Sequence, residues 1–229
     1  MKYAGAPTEQ YTGAADEAIN RLKATVPIYQ DLAYPNLIRF LKAEEIGGGF
    51  AAIFEWTDSE CMGRQYPLSR QRFLQLPYSD RLRVYEDILQ FHAHVIDHGY
   101  VAIDFYDGSV MYDFQDRKTV ICDIDFYARL PYTNRMGRMW GSTRFMSPEE
   151  FEQGADIDEI TNVYLMGATA FALFADYERT PERWQLGEEL YSVALKAVSN
   201  DRKHRQQSIR QLIFEWNEAK KCLMEKGFL

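Results

Sequence analysis

Aspartate residues cluster between positions 101 and 130, in the stretch VAIDFYDGSVMYDFQDRKTVICDIDFYARL. Asp104 follows one short apolar run and Asp125 follows another, with a predicted hairpin between them. Asp123 is a second candidate for the metal-binding role of Asp125. Carboxylates at neighbouring strand ends can hold magnesium and orient an attacking hydroxyl, which is most of what phosphoryl transfer requires of a protein. The pattern therefore predicts a phosphotransfer site that contains Asp104 and Asp125.

Three short runs of strand-forming residues must position these acids: YVAID, GSVMYDF and TVICDIDF. The aspartates that lie between the ends of these runs are typical of turns, because an aspartate side chain can bond the backbone there. They are Asp107, Asp113 and Asp116. We therefore expect a hairpin with polar turns and two functional acids at its tips.

The rest of the chain is predicted to hold a small mixed part followed by helices. LIRFLKAEE and FAAIFEW flank Gly47–Gly49, which predicts two strands joined by a glycine turn. Periodic apolar residues predict helices over residues 16–26 and over residues 79–98, the second ending before Gly99. After residue 127 the pattern predicts helices to the end of the chain.

The composition predicts a globular, cytoplasmic protein. A formal net charge of −8 disfavours nucleic-acid binding, which normally requires a basic surface. The longest apolar run, VYLMGATAFALF, is too short to span a membrane. Three widely spaced cysteines indicate neither a disulfide framework nor a zinc site, which favours a reducing compartment.

These motifs resemble those of the protein-kinase superfamily, in the same order. AIDFYDGS resembles the catalytic loop H-R-D-L-x-x-x-N, with Asp104 at its aspartate and Ser109 at its asparagine. IDFY resembles the magnesium-binding D-F-G, with Asp125 and Phe126 at its first two positions. The resemblance implies that Asp104 is catalytic and that Asp125 and Ser109 bind the metal. Tyr127 replaces the glycine, which predicts a stiffer segment.

The resemblance continues into the activation segment and the large lobe. GSTRFMSPEE resembles the end of the activation segment, where Ser147, Pro148 and Glu149 match A-P-E. Arg205 lies where kinases keep an arginine paired to that glutamate. NVYLMGATAFALF resembles the buried central helix of the large lobe, with Asn162 in place of its usual aspartate. The similarity covers most of the chain.

Upstream, YPNLIRFLKAEEIGGGFAAIFEW resembles the strands that lead to the adenine hinge of kinases. The resemblance implies that Phe54 is the gatekeeper and closes the back pocket. It also implies that the backbone groups of Glu55 and Thr57 bind the adenine of ATP.

The start of the chain departs most from the family. MKYAG is the one candidate for the third strand of the small lobe, which makes Lys2 the phosphate-binding lysine and Glu17 its ion-pair partner. Alignment backward from Pro35 instead places Thr25 at the glutamate position. No glycine-rich lid precedes these residues, so we expect either a start codon further upstream or a reduced variant of the small lobe.

The resemblance implies an α+β fold with two lobes: residues 1–57 form a partial N-terminal lobe, and residues 58–229 form a mainly helical C-terminal lobe. It implies a phosphotransferase similar to serine/threonine protein kinases, which uses ATP and Mg²⁺ and transfers the γ-phosphate to a protein hydroxyl. The expected partners are ATP and a protein, with no nucleic acid and no membrane.

Two other functions stay open. A pseudokinase, which binds or regulates without turnover, is favoured by Ala102 and Ile103 in place of the His and Arg of H-R-D. Ser109 favours it too, because a hydroxyl is a weaker magnesium ligand than an asparagine. A small-molecule kinase would share the acids but generally lacks a segment such as GSTRFMSPEE. That segment therefore favours the protein kinase-like function.

Overall fold

The computed structural model describes residues 1–6 and 13–225, which have an α+β fold as predicted. Its α-helices are α1 (Ala15–Asp31), α2 (Pro67–Leu74), α3 (Tyr78–Asp97), α4 (Glu159–Phe174), α5 (Gly187–Ala197) and α6 (Ile209–Glu225). Its strands are β1 (Lys2–Ala4), β2 (Phe40–Ile46), β3 (Gly49–Phe54), β4 (Glu60–Cys61), β5 (Tyr100–Val101), β6 (Val110–Asp113), β7 (Lys118–Ile121), β8 (Ala128–Arg129), β9 (Tyr132–Thr133) and β10 (Asp156–Ile157). None of the described helices combines the length and the apolar character needed to cross a membrane.

The N-terminal part is an antiparallel sheet in the order β1-β3-β2, with α1 packed against it. Gly47 and Gly48 join β2 to β3 with φ angles of 59° and 78°, a left-handed conformation that glycine adopts without a steric cost. The predicted strand pair with a glycine turn is therefore confirmed. Leu22 of α1 packs with Phe50 and Ala52 of β3 in a small separate core.

The main core lies between the helices of the C-terminal part. Residues 161–174 of α4 are buried without exception, which is why this helix is apolar on every face. α3 and α6 pack against α4, and the Trp216 ring lies 4.6 Å from that of Tyr85 and 6.0 Å from that of Phe174. The helix predicted over residues 79–98 is α3, and Gly99 follows it with a φ of 73°.

Residues 128–158 contradict the prediction of helices after residue 127. This segment contains β8, β9, β10 and a short 3-10 turn, but no α-helix. Its backbone groups bond to distant residues: Leu130 N donates to Gly99 O at 2.8 Å, and Met139 N donates to Glu150 O at 2.9 Å. The segment therefore depends on tertiary partners rather than on local helical bonds.

The end of this segment is fixed by the buried ion pair of Glu149 and Arg205, which the resemblance implies. The Arg205 guanidinium donates to both carboxylate oxygens of Glu149, at 2.7 and 3.0 Å. Thr161 at the start of α4 donates to the same carboxylate at 3.0 Å. Burial alone would raise the pKa of Glu149, but the bonds from Arg205 lower it below its usual value. The carboxylate therefore stays charged and holds the segment to the helices.

We predict that Arg205→Ala lowers the free energy of unfolding by about 3–5 kcal/mol, because it leaves Glu149 buried without its main partner. The double variant Glu149→Leu with Arg205→Met should recover part of this loss, since both charges of the buried pair are removed together and Arg202 keeps its bond to Asp158. Arg183→Ala, at an exposed arginine, is the control and should change stability by less than about 0.5 kcal/mol. Urea unfolding of the four proteins measures this, and equal midpoints for Arg205→Ala and the parent would contradict it.

Candidate functional site

The two acid-bearing segments lie side by side because β6 and β7 form a hairpin. The register pairs Val110 with Ile121, and Cys122 N then donates to Ser109 O at 2.9 Å, which extends the ladder by one step. Asp123 follows directly, with a φ of 58°. Asp104 has a φ of 59°, so both aspartates adopt a left-handed conformation that is uncommon for residues with a side chain.

Lys2 joins the N-terminal sheet to the aspartates that follow β7. Its Nζ donates to Asp123 Oδ1 at 2.6 Å and to Asp125 Oδ1 at 2.7 Å. Burial alone would lower the pKa of Lys2, but the charges of Asp125 and Asp123 raise it above its ordinary value. The ammonium is thus a fixed positive charge between two carboxylates that would otherwise repel each other.

Tyr29 of α1 completes this cluster, and the sequence reasoning missed it. Its hydroxyl donates to Asp125 Oδ1 at 2.9 Å and accepts from Ile124 N at 3.3 Å. Burial, followed by the charge of Asp125, raises the pKa of Tyr29, so the phenol stays protonated. The available signal was its spacing: Tyr29 lies one helical turn after Thr25, on the same buried face.

The structure does not bring Glu17 to Lys2. Glu17 is exposed in the first turn of α1, whereas the ion-pair partners of Lys2 are the two aspartates described above. Thr25, the alternative position for that glutamate, is buried and donates its hydroxyl to Leu22 O at 2.8 Å. Helix α1 therefore contacts the cluster through a tyrosine, not through an acid.

The Asp104 carboxylate is half-buried and makes no hydrogen bond with the residues that the structure describes. Burial, followed by the charge of Asp123, raises the pKa of Asp104 to about 6. A Cβ at Gly141 would lie 3.7 Å from Asp104 Oδ1, so the segment after β9 passes directly beside it. Asp104 is thus a carboxylate with free lone pairs, close to Asp123 and to this segment.

Two buried contacts fix the loop that carries Asp104. Asn162 of α4 accepts from Ala102 N at 2.7 Å and donates to Ala102 O at 2.8 Å, which fixes the backbone before Asp104. Asp107, which we predicted to be an ordinary turn residue, is only 2 % exposed and accepts from the Arg70 guanidinium at 3.4 Å. That prediction is wrong because a distant arginine, not the local backbone, partners this side chain.

Ser109 and Asp113 of the same hairpin differ in their exposure and in their hydrogen bonds. Ser109 is fully buried, and its hydroxyl has no hydrogen-bond partner among the described residues. Asp113 does fit turn chemistry, because its carboxylate accepts from the backbone of Gln115 and Asp116 at 2.8 and 2.9 Å. Ser109 is adjacent to the acids through its backbone, whereas its side chain lies in the protein interior.

In the IDFY motif, Ile124 and Tyr127 are buried, whereas Phe126 is exposed. Phe126 is 37 % exposed and packs loosely against Trp140, whereas Ile124 is fully buried in the main core. Tyr127 is also buried, and its hydroxyl donates to His92 Nε2 at 2.9 Å because Nδ1 of that ring bonds the Ile88 carbonyl. The segment is thus anchored on both sides of Asp125.

The predicted hinge lies at the end of β3. The Phe54 ring packs against Tyr29 with a centroid distance of 4.7 Å, and Glu55 N donates to Arg39 O at 2.9 Å. The Glu55 carbonyl and the Thr57 amide have no hydrogen-bond partner among the described residues. A cavity of about 680 Å³ is lined by Glu55, Thr57 and Tyr29, among other residues. None of Asp104, Asp123 and Asp125 lines this cavity.

The acids fit magnesium only together with ligands from outside the chain. Among the described residues, no group of three or more His, Cys, Asp or Glu side chains is arranged to hold a metal ion. Asp104 has a free carboxylate, and Asp123 is 49 % exposed with one oxygen bonded to Lys2. Magnesium is commonly held by one or two carboxylates together with substrate phosphates, and this donor set fits that pattern.

Comparison with protein-family models and with curated proteins gives no match to this chain.

We predict that Asp104 titrates near pH 6 in the folded protein. Because its carboxyl is protonated below that value, a function that needs the carboxylate should fall as the pH drops through 6. Carbon NMR of labelled aspartate carboxyls measures this titration, with Asp104→Asn to assign the signal. Asp123→Asn should lower the midpoint by removing the nearby charge.

The raised pKa of Asp104 also predicts that its ionised form lowers the stability of the folded protein, whereas an ordinary salt-bridged acid raises it. Ionisation of Asp104 opposes folding above pH 6, so Asp104→Asn should melt higher than the parent at pH 7.5, and the difference should shrink below pH 6. A midpoint below 5 for the Asp104 signal would contradict both expectations.

Proposed function

We propose that this chain is an ATP-dependent phosphotransferase, similar to serine/threonine protein kinases, that transfers the γ-phosphate to a protein hydroxyl. One observation carries the proposal: Lys2 bridges Asp123 and Asp125, and the charge of Asp123 helps to raise the pKa of the unpartnered Asp104 carboxylate. A cation and several carboxylates converge there from three segments far apart in the chain. In the proposed arrangement, residues 1–57 and residues 58–229 form two lobes with the nucleotide between them.

Asp104 would orient the acceptor hydroxyl and take its proton. Its carboxylate has free lone pairs and is ionised above a pH of about 6. Phosphoryl transfer requires little covalent chemistry from the protein, so one well-placed carboxylate serves this role. The buried Asn162–Ala102 bonds keep the loop in place during the reaction.

The contacts favour Asp123 over Asp125 as the magnesium ligand. Asp125 is 21 % exposed and shares one oxygen with both Lys2 and Tyr29, whereas Asp123 is 49 % exposed and contributes to the raised pKa of Asp104. Bound magnesium would supply positive charge to the β- and γ-phosphates of ATP. Asp125 would then act as a positioning residue that holds Lys2 toward the phosphates.

The hinge supports a nucleotide as the phosphate donor. The Glu55 carbonyl and the Thr57 amide, both without a partner in the described part of the chain, are an acceptor and a donor two residues apart. The edge of an adenine ring offers a complementary donor and acceptor. Phe54 packs on Tyr29 and would close the space behind the base.

The segment at residues 141–150 supports a protein acceptor. It passes beside Asp104 at Gly141 and is held to the helices by Glu149 and Arg205. A rigid surface beside the catalytic carboxylate suits an extended peptide better than a small molecule that is enclosed on all sides.

A binding module without turnover is the second candidate. The buried Ser109 hydroxyl favours it, because a side chain in the interior cannot serve as the second metal ligand. Such a module would bind nucleotide at the same cluster without transferring phosphate. Nucleotide binding by calorimetry, measured beside radiolabelled phosphate transfer to a mixed peptide substrate, separates the two.

We predict different losses for the three aspartates. Asp104→Asn should leave nucleotide binding intact and lower turnover by roughly 10²–10⁴-fold, the usual contribution of a general base. Asp123→Asn should abolish magnesium-dependent nucleotide binding together with turnover. Asp125→Asn should weaken nucleotide binding but keep its magnesium dependence, because it loosens Lys2 and leaves the metal ligand in place.

The control is Glu182→Gln, at an exposed glutamate in the turn before α5. It removes one negative charge from the chain without touching the cluster and should leave both measurements unchanged. Magnesium titrations of nucleotide binding and a transfer assay on each variant test the assignments. Transfer that survives in both Asp104→Asn and Asp123→Asn would remove these residues from the mechanism.

A further inference from the structure

Tyr177, just after α4, is surrounded by three arginines. The guanidinium carbons of Arg70, Arg64 and Arg144 lie 4.3, 4.9 and 4.9 Å from the centre of its ring. Guanidinium groups stack favourably on aromatic faces. They also repel one another, so three of them at one ring require compensating negative charge.

One of these arginines is compensated within the protein. Arg70 is buried and donates to Asp107 at 3.4 Å and to Asp176 at 2.8 Å. Its charge is therefore neutralised by two carboxylates, and it serves to fix the loop that carries Asp107.

The other two arginines have no such partner. Arg64 and Arg144 are exposed, and neither side chain makes an ion pair or a hydrogen bond with the described residues. The three arginines carry three positive charges, and Asp107 and Asp176 carry two negative ones, which leaves one positive charge in excess. The formal net charge of the whole chain is −8. The surface formed by Arg64, Arg144 and Tyr177, here called the arginine patch, is thus locally basic on an acidic protein.

Two short connections link the arginine patch to Asp104. The Tyr177 hydroxyl bonds the carboxylate of Asp107, three residues after Asp104 in the same loop. Arg144 lies three residues after Gly141, which faces the Asp104 carboxylate. Both connections are short, so a peptide with its hydroxyl at Asp104 can place a neighbouring side chain on the patch.

We propose that Arg64 and Arg144 form an anion-binding subsite for the acceptor, and that the preferred acceptor is a peptide with glutamate or aspartate within a few residues of the hydroxyl. The proposal rests on the phosphotransfer function proposed above and specifies its substrate class. Arginine binds carboxylates through two parallel hydrogen bonds, and stacking on Tyr177 holds both guanidiniums in place before the peptide arrives.

The test measures peptide binding without nucleotide, so it does not depend on turnover. A labelled serine peptide that contains glutamates is compared with the same peptide containing glutamines, by fluorescence anisotropy. We expect the parent protein to prefer the glutamate peptide by about tenfold or more, as two charge-assisted contacts imply. The preference should shrink with added salt, because the arginines are exposed.

Substitutions test whether the arginine patch causes this preference. The double variant Arg64→Gln with Arg144→Gln should abolish the preference for the glutamate peptide. The control Arg183→Gln, at an exposed arginine in the turn before α5, should keep this preference. Tyr177→Phe should keep the preference because the ring remains, and Tyr177→Leu should weaken it. Equal binding of both peptides by the parent, or a preference that survives in the double variant, would overturn the proposal.

Two further outcomes distinguish the subsite from the phosphotransfer function, and a peptide ligand from a phosphorylated small molecule. A preference for the glutamate peptide without any phosphate transfer would count against the phosphotransfer function while supporting the subsite. Competition by millimolar inorganic phosphate that removes all peptide binding, with no difference between the two peptides, would indicate a phosphorylated small molecule and overturn the peptide assignment.

Discussion

The contact of the Lys2 ammonium with Asp123 and Asp125 is the interaction on which the rest of the site depends. The two carboxylates are separated by one buried residue, Ile124, and would repel each other without a cation between them. Because Lys2 belongs to β1, this one side chain joins the N-terminal sheet to the segment after β7. Tyr29 adds α1 to the same cluster through Asp125. Lys2 and Tyr29 therefore add polar contacts at the point where the acids converge to the apolar contacts that α1 makes with the sheet.

Buried polar contacts elsewhere have a common effect, which is to fix the loop that carries Asp104. Asn162 holds the backbone of Ala102, and Arg70 holds Asp107. The Asp104 carboxylate, in the middle of this fixed loop, has no partner among the described residues and has a pKa of about 6. An unpaired, partly desolvated carboxylate reduces stability, which agrees with the chemical role that we propose for Asp104.

The parts of the fold that the sequence predicts are those that short-range patterns determine. The turn at Gly47–Gly48 and helix α3 follow from glycine conformation and from apolar periodicity, and the structure contains both. Residues 128–158 were predicted wrongly because their backbone bonds go to distant partners such as Gly99 O. Tyr29 and Asp107 were misjudged for the same reason: their partners are 96 and 37 residues away, beyond the reach of any local pattern. The order of motifs drew attention to the acids, whereas the different contacts of Asp104, Asp123 and Asp125 could be seen only in the structure.

The distribution of charge connects the proposed chemistry to the surface around it. At neutral pH the carboxylates of Asp104, Asp123 and Asp125 outweigh the single positive charge of Lys2, so the cluster alone repels a polyanion such as ATP. In the proposed function a nucleotide would therefore bind there together with a divalent cation, so that magnesium would be a condition of binding and not merely of turnover. The arginine patch has the opposite sign and carries no metal-binding groups. In the two proposals above, it would attract an acidic peptide while the metal and nucleotide occupy the cluster, because the two sites carry charges of opposite sign.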